Sequence, residues 1–211
     1  MKHQPVPGDP PAEPTNRGRD ETRARILQVA LELFARDGFD DTTVREIAAR
    51  CGLTDAAIFY YFPSKRHVLD ALWRIPSGSN IRALAPSGVM TEERVRELTD
   101  ETLDFIADNH EVMRLMTSEA LAGDRTASAL QQESRAVWRR TIHAHFTAAF
   151  DEDIADSATD ALHSLIHGFT MRAMMEHGER MGEVCRDPEF RDQLFQRARL
   201  VVPLSPLEPA S

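Results

Sequence analysis

Apolar residues return along most of this chain every three or four positions, and no stretch sustains the strict alternation of a half-buried strand. Ile26, Ala30, Leu33 and Phe34 form one such stripe, which predicts a first helix over about 20–37. Gly38 follows as its stop and Phe39 as the apolar contact after the stop. Thr43, Val44, Arg45 and Glu46 read as a capping box that opens a second helix, ending near Cys51 and Gly52. Thr54 caps a short third helix, which Pro63 stops. Ser64 caps a fourth reaching about Ile75, where Pro76 ends it. Residues 76–90, PSGSNIRALAPSGVM, predict a long loop and a domain boundary. Five further helices are expected over about 91–109, 110–122, 125–150, 153–178 and 187–202. The fold expected is all-α.

The segment from Thr43 to Phe62 reads as helix, tight turn, helix. Ala48 and Gly52 supply a small residue at the crossing and a turn glycine, while Ile47, Leu53 and Ile58 supply the locking apolar contacts. This is a helix-turn-helix, and its second helix is short enough for a DNA major groove. Four aromatics follow in a row: Phe59, Tyr60, Tyr61 and Phe62. Spacings of three and four let Ile58, Phe59 and Phe62 share the inner face, which leaves Tyr60 and Tyr61 on the outer arc. A phenol there suits a phosphate oxygen or a thymine methyl. The alternative for either tyrosine is packing under the first or fourth helix.

The stretches FARDGF, TTVREIAARCGLT and FYYFPSK together resemble the TetR family of transcriptional repressors. The likeness runs from Arg17 to about Trp73, roughly a quarter of the chain, and beyond it the chain is similar in length and helical character only. The resemblance implies an N-terminal three-helix DNA-binding domain, then a C-terminal helical bundle for ligand binding and dimerisation. It also implies a homodimer on a pseudo-palindromic DNA operator. Thr43, Thr54 and Lys65 would contact phosphate at helix N-termini. Tyr60 and Tyr61 would take the DNA-facing aromatic positions, and Arg17 and Arg19 would reach the flanking minor groove or backbone. Asp55 departs from the family, which often has a basic or small residue there. It either favours the helix dipole or accepts from a cytosine amine. Ala57, counted on the DNA side, is with Ala56 too small for polar readout, which leaves more to DNA shape.

In the family likeness, the middle helices enclose a small hydrophobic effector. The residues assigned to that pocket are Trp73, Phe105, Met113, Met116, Trp138, Ile142, Phe146, His167 and Met171; plain bundle core is the competing reading for each. An effector wedged there would move the fourth helix and change the distance between the two reading heads. Two late stripes read as dimer material: Leu162, Leu165, Ile166 and Phe169, then Leu194, Phe195, Ala198 and Val201. Intrachain core is the alternative for part of each.

Charge refines this outline. The net charge is −9, but residues 1–75 hold 11 basic against 11 acidic residues and the remainder 14 against 23. A neutral front and an acidic rear would orient the molecule on a polyanion. The domains expected are a disordered proline-rich leader with a basic arm over 1–19, the helix-turn-helix domain over 20–75, the effector and dimer domain over 76–203, and a flexible tail over 204–211. No apolar run approaches the roughly 20 residues of a membrane span, and no signal peptide is evident, so a cytoplasmic protein is expected. Cys51 and Cys185 do not form a disulfide or zinc pattern. His163 and His167 have metal-ligand spacing, and His143 lies on another helix, but no third ligand is evident. No metal, cofactor or catalytic set is expected. The other readings are a DNA-binding regulator without an effector and a helical metal-binding protein or enzyme.

Overall fold

The computed structural model of the chain describes residues 16–73 and 84–205. Among them, the regular structure is helical throughout: α1 (Asn16–Asp37), α2 (Val44–Cys51), α3 (Asp55–Tyr61), α4 (Lys65–Leu72), α5 (Glu92–Leu121), α6 (Arg125–Thr147), α7 (Glu152–His177), α8 (Met181–Arg186) and α9 (Pro188–Val201). A 3-10 turn, Gly178–Arg180, joins α7 to α8. The chain divides into two compact units after Leu72.

The first unit closes over Ile26, Ala30, Leu33, Phe34, Ile47, Ile58, Phe62, Val68 and Leu69, all buried. Gly52 ends α2 at φ +63°, a left-handed conformation that costs glycine nothing and strains any other residue. From that turn the Leu53 N–H donates back to the Ala48 carbonyl at 2.9 Å, which closes the C-terminus of α2 and aims the chain into α3. Helix α1 begins one turn earlier than its apolar stripe predicts. Residues 16–19 are therefore helical rather than part of a loose arm, with the Arg17–Glu21 pair and the Thr22 hydroxyl, bonded to the Gly18 carbonyl at 2.8 Å, on the polar side of this added turn. Residues 1–15, and 76–83 of the loop expected over 76–90, lie outside the described residues.

The second unit packs α5 against α6, α8 and α9, and α7 against α6, α8 and α9. Its core holds Leu98, Leu103, Ile106, Ile142, Phe146, Leu162, Ile166, Met181, Leu194 and Phe195. The two helices expected over 91–122 are one helix of 30 residues. Neither Asn109 nor His110 removes a backbone donor, and the Asn109 amide bonds back to the Phe105 carbonyl at 2.8 Å. Helix α8, which the apolar pattern did not predict, is a short helix of six residues that buries Met181, Gly182 and Cys185. Arg191 of α9 fastens this corner: its guanidinium bonds the Cys185 carbonyl at 2.9 Å and pairs with Asp104. Burial pushes the Cys185 thiol up to about 11.

The stripes expected to pair two chains serve mostly inside one. Leu162, Ile166, Phe169, Leu194, Phe195 and Ala198 are all buried in this core, Leu165 packs against it half-buried, and Val201 alone of the set is exposed. The physical reason is that α6, α8 and α9 cover the apolar face of α7, and α5, α7 and α8 that of α9, within the one chain.

Gly182 carries the closest approach. A Cβ there would stand 2.7 Å from His110 Nδ1 and 3.2 Å from the Ala107 carbonyl oxygen. Gly182→Ala should therefore push α8 off α5 and destabilise the protein by about 1–3 kcal/mol, read as a lowered midpoint in chemical denaturation.

Candidate nucleic-acid interface

Thr54 starts α3 by accepting the Ala57 N–H at 3.2 Å, and the Phe62 N–H ends it on the Ile58 carbonyl at 2.9 Å. Residues advance about 100° around a helix axis. With Ile58 buried and pointing at the core, Ala56 and Tyr60 stand on the far side of the helix, Phe59 and then Asp55 lie nearer to Ile58, and all four are exposed. Ala57 and Tyr61 flank the core side and are half-buried, which corrects the outward place expected of Tyr61: three positions past Ile58, it falls on the same side of the helix. Phe59 is 48% exposed, which corrects its expected inward position. Its spacing of three from Phe62 assumed that the helix continues, but Phe62 is the C-cap, with extended backbone, and turns inward by itself. Tyr60 is 63% exposed and meets the Tyr61 ring edge-on at 5.2 Å.

Helix α1 lies alongside this aromatic end. The Arg19 guanidinium donates to the Tyr60 hydroxyl and stands 5.4 Å from its ring centre. One turn on, Arg23 stands 5.1 Å from the Phe62 ring. Arg17 pairs with Glu21 at 3.2 Å on a fully solvated surface, a contact worth little stability. Arg19 and Tyr60, expected to act separately, are thus one hydrogen-bonded group.

Thr43 and Lys65 spend their polar groups on bonds to their own chain. The Thr43 hydroxyl accepts the Glu46 N–H at 3.2 Å and donates to Glu46 Oε2 at 2.7 Å; the same carboxylate oxygen accepts the Thr43 N–H at 2.8 Å. These bonds hold the Glu46 carboxyl below its ordinary pKa. The N-terminus of α2 therefore already carries its own anion. Lys65 Nζ donates to the carbonyls of Phe39, Asp40 and Thr42 at 2.5, 3.1 and 2.7 Å and sits 4.4 Å from the Phe39 ring centre. Its three protons tie down the α1–α2 turn, which corrects the phosphate contact expected of its side chain. Arg45, exposed in the first turn of α2, is a cation that the sequence reading passed over. The signal was its place inside the capping box, between Thr43 and Glu46.

The residues assigned to an effector pocket separate by depth. Ile142 and Phe146 are fully buried in the core of the second unit, with Phe105, Met113 and Trp138 half-buried at its margin. Trp73 and Met116 are buried and Met171 is half-buried. His167 is exposed, which removes it from any interior pocket; it stacks on His163, which in turn meets Trp138 at 5.2 Å. His145, which was not among the assigned residues, is fully buried, and its Nδ1 accepts from Arg94 at 3.2 Å. Burial and then the Arg94 charge hold His145 below its ordinary pKa.

His143, Glu152 and Asp156 bring one ligand atom each within 4.8 Å of one another. His143 Nε2 is 3.2 Å from Asp156 Oδ1, but Arg139 takes that same oxygen at 2.9 Å and Asp160 at 3.0 Å. Arg139 thus already pairs with two of these carboxylates, Asp156 and Asp160, and joins α6 to α7. No helix among the described residues is long and apolar enough to cross a membrane.

Residues 26–72 match the tetR family of bacterial regulatory proteins. The chain is 27% identical over 143 residues to the HTH-type transcriptional repressor KstR2 of Rhodococcus jostii (strain RHA1), covering 64% of this chain and 70% of that protein. It is 40% identical over 73 residues to the HTH-type transcriptional regulator AcrR of Shigella flexneri, covering 35% of this chain and 34% of that one. Among solved structures, a transcriptional regulator of the TerR/AcrR family from Aquifex aeolicus VF5 superposes with TM-score 0.68 at 18% identity, over 85% of this chain and 99% of that one. A protein from Saccharomonospora viridis, solved in complex with choline, superposes with TM-score 0.63 at 22% identity, over 84% and 95%. At these identities the structures speak for the fold.

Lys65→Met keeps the aliphatic stem and removes the ammonium from three carbonyls. It should lower the stability of the first unit by about 1–3 kcal/mol, and Lys65→Arg, whose planar fork cannot reproduce three converging bonds, should not restore it. Thermal unfolding of the three proteins checks this.

Proposed function

This chain belongs to the TetR family of helix-turn-helix transcriptional regulators, and on that premise we propose a repressor: a homodimer that grips a pseudo-palindromic operator through α3 and lets go when a small hydrophobic effector binds the second unit. It is a regulator of transcription and not an enzyme. The observation that carries the reading is the solvent face of α3. Asp55, Ala56, Phe59 and Tyr60 are all exposed on the arc of α3 that the buried Ile58 leaves to solvent, with Arg19 of α1 bonded to the Tyr60 hydroxyl at its edge. A seven-residue helix with that face fits a major groove about 12 Å wide.

Arg17, Arg19 and Arg45 would meet the phosphates. The Arg19–Tyr60 pair can give two donors to one phosphate oxygen once the phenol proton turns outward. Thr54 and Thr43 act through the helices they cap, by setting where α3 and α2 begin. Asp55 would accept from a cytosine amine or serve the helix dipole. The KstR2 relative is a repressor by name, which supports repression here.

The homodimer reading moves to a new face. Ile154, Ala161, Gly168 and Met175 recur every seven residues along α7, with Ser157, Ser164 and Met171 between them, none charged and none buried. Leu200, Val201 and Leu204 continue the exposed apolar surface from the end of α9. An open groove of about 450 Å³ lies between these helices, lined by Ile154, Ser157, Ala161, Val201 and Pro203. Small residues at that repeat let two copies of a helix approach closely around a two-fold axis.

Binding of a small molecule is supported by the choline complex of the Saccharomonospora viridis neighbour, and an apolar effector by the half-buried Phe105, Met113 and Trp138. Arg94 and the buried His145 give the α5–α6 interface a polar end. Switching from about 99:1 to 1:99 requires about 5.5 kcal/mol of differential binding, within reach of one well-buried apolar ligand.

Selection of duplexes from a random pool with the full chain should enrich two-fold symmetric sites with half-sites one or two helical turns apart. Their log affinity should fall linearly with log salt. Unsymmetrical sites, or no enrichment, would defeat the reading. Ala161→Arg places a charge in the middle of the α7 stripe. It should shift the protein to monomer in sedimentation velocity while leaving its helical spectrum unchanged; a dimer that survives would relocate the interface.

A further inference from the structure

Helix α3 reads Asp55, Ala56, Ala57, Ile58, Phe59, Tyr60, Tyr61. It holds no Arg, Lys, Asn or Gln, the side chains that make paired hydrogen bonds to guanine or adenine edges. Of its four exposed residues, Ala56 has no polar side-chain atom, and the Tyr60 hydroxyl is held by Arg19 of α1. Asp55 and Phe59 remain, four positions apart and therefore neighbours on the outward face.

Phe59 has no hydrogen-bonding atom, so a phosphate offers it nothing. It is 48% exposed, and among the described residues no aromatic or cationic side chain stacks on it. Leaving that much benzyl surface in water is unfavourable, and packing does not require it, because Ile58 and Phe62 already fill the interior side. Ala56, three positions before it, is small and leaves the ring clear on the N-terminal side. In a major groove the one apolar group on any base edge is the C5-methyl of thymine.

We propose that Phe59 is a specificity-determining residue that reads a thymine methyl in each operator half-site. The proposal rests on the DNA-binding reading above and adds to it the chemistry of the base that is read. One A·T pair per half-site would then be chosen by apolar contact and not by hydrogen bonds. Because the contact is to the methyl alone, cytosine or uracil at that position loses it equally.

The test needs no change to the protein. In a duplex enriched by selection, each thymine is replaced in turn by deoxyuridine, which deletes only the methyl, and affinity is measured by mobility shift. One symmetry-related pair of positions should each weaken binding about fourfold, and both together about 16-fold. Phe59→Ala should bind the parent duplex more weakly and no longer distinguish it from the uracil form, whereas Phe59→Leu, still apolar, should keep part of the difference. The idea is overturned if no thymine methyl matters to the wild-type chain. It is equally overturned if Phe59→Ala still discriminates, or if that variant changes the oligomeric state instead, since a second copy would then be what covers the ring. Failure of the DNA-binding reading itself would appear earlier, as a selection that enriches nothing.

Discussion

Ile58 sets the rotation of α3 about its own axis. It is the one side chain of that helix wholly removed from water, and burying it contributes about 1.5–3 kcal/mol against leaving it exposed. Turning the helix by one residue would expose it and bring the Asp55 side of the helix toward the core. The left-handed Gly52 and the Thr54 cap fix where the helix begins, and Ile58 fixes which way it faces. The identity of every outward residue on α3 follows from those two constraints.

Around that helix, the polar groups divide into those that build and those that remain available. Lys65 holds the α1–α2 turn through three carbonyls. Glu46 closes the start of α2 on Thr43, and Arg23 lies against Phe62. Each stiffens the frame on which α3 rests. Arg17, Arg45 and the Arg19–Tyr60 pair remain on the surface. A rigid frame with a few exposed cations suits a partner whose charge is diffuse but whose grooves have fixed width.

The second unit gains its interior from a helix of only six residues. Because Gly182 lets α8 press against His110 and the Ala107 carbonyl of α5, α8 completes a core that closes over the apolar sides of α7 and α9 within one chain. What stays outside on α7 is the small-residue and methionine repeat from Ile154 to Met175. One helix thus carries a buried face and an unpartnered one.

The all-helical fold and the helix-turn-helix were legible in the sequence. The caps at Thr43 and Thr54 and the stop at Gly52 act over three or four residues, and the family motifs lie in the same stretch. The exposure of Tyr60 was legible too, since it depended only on the spacing from Ile58. The inward or outward position of Phe59 was not, because it turned on where the helix ends, and Phe62 leaves the helix to reach the core. Lys65 beside Phe39, Arg19 beside Tyr60 and His110 beside Gly182 join residues far apart in the chain, and no local period encodes such meetings. The chain by itself determined where its helices form and which face of each is apolar. Only the tertiary structure decided which apolar face another part of the same chain would cover, because that depends on what stands within a few ångströms in space and not within a few residues in sequence.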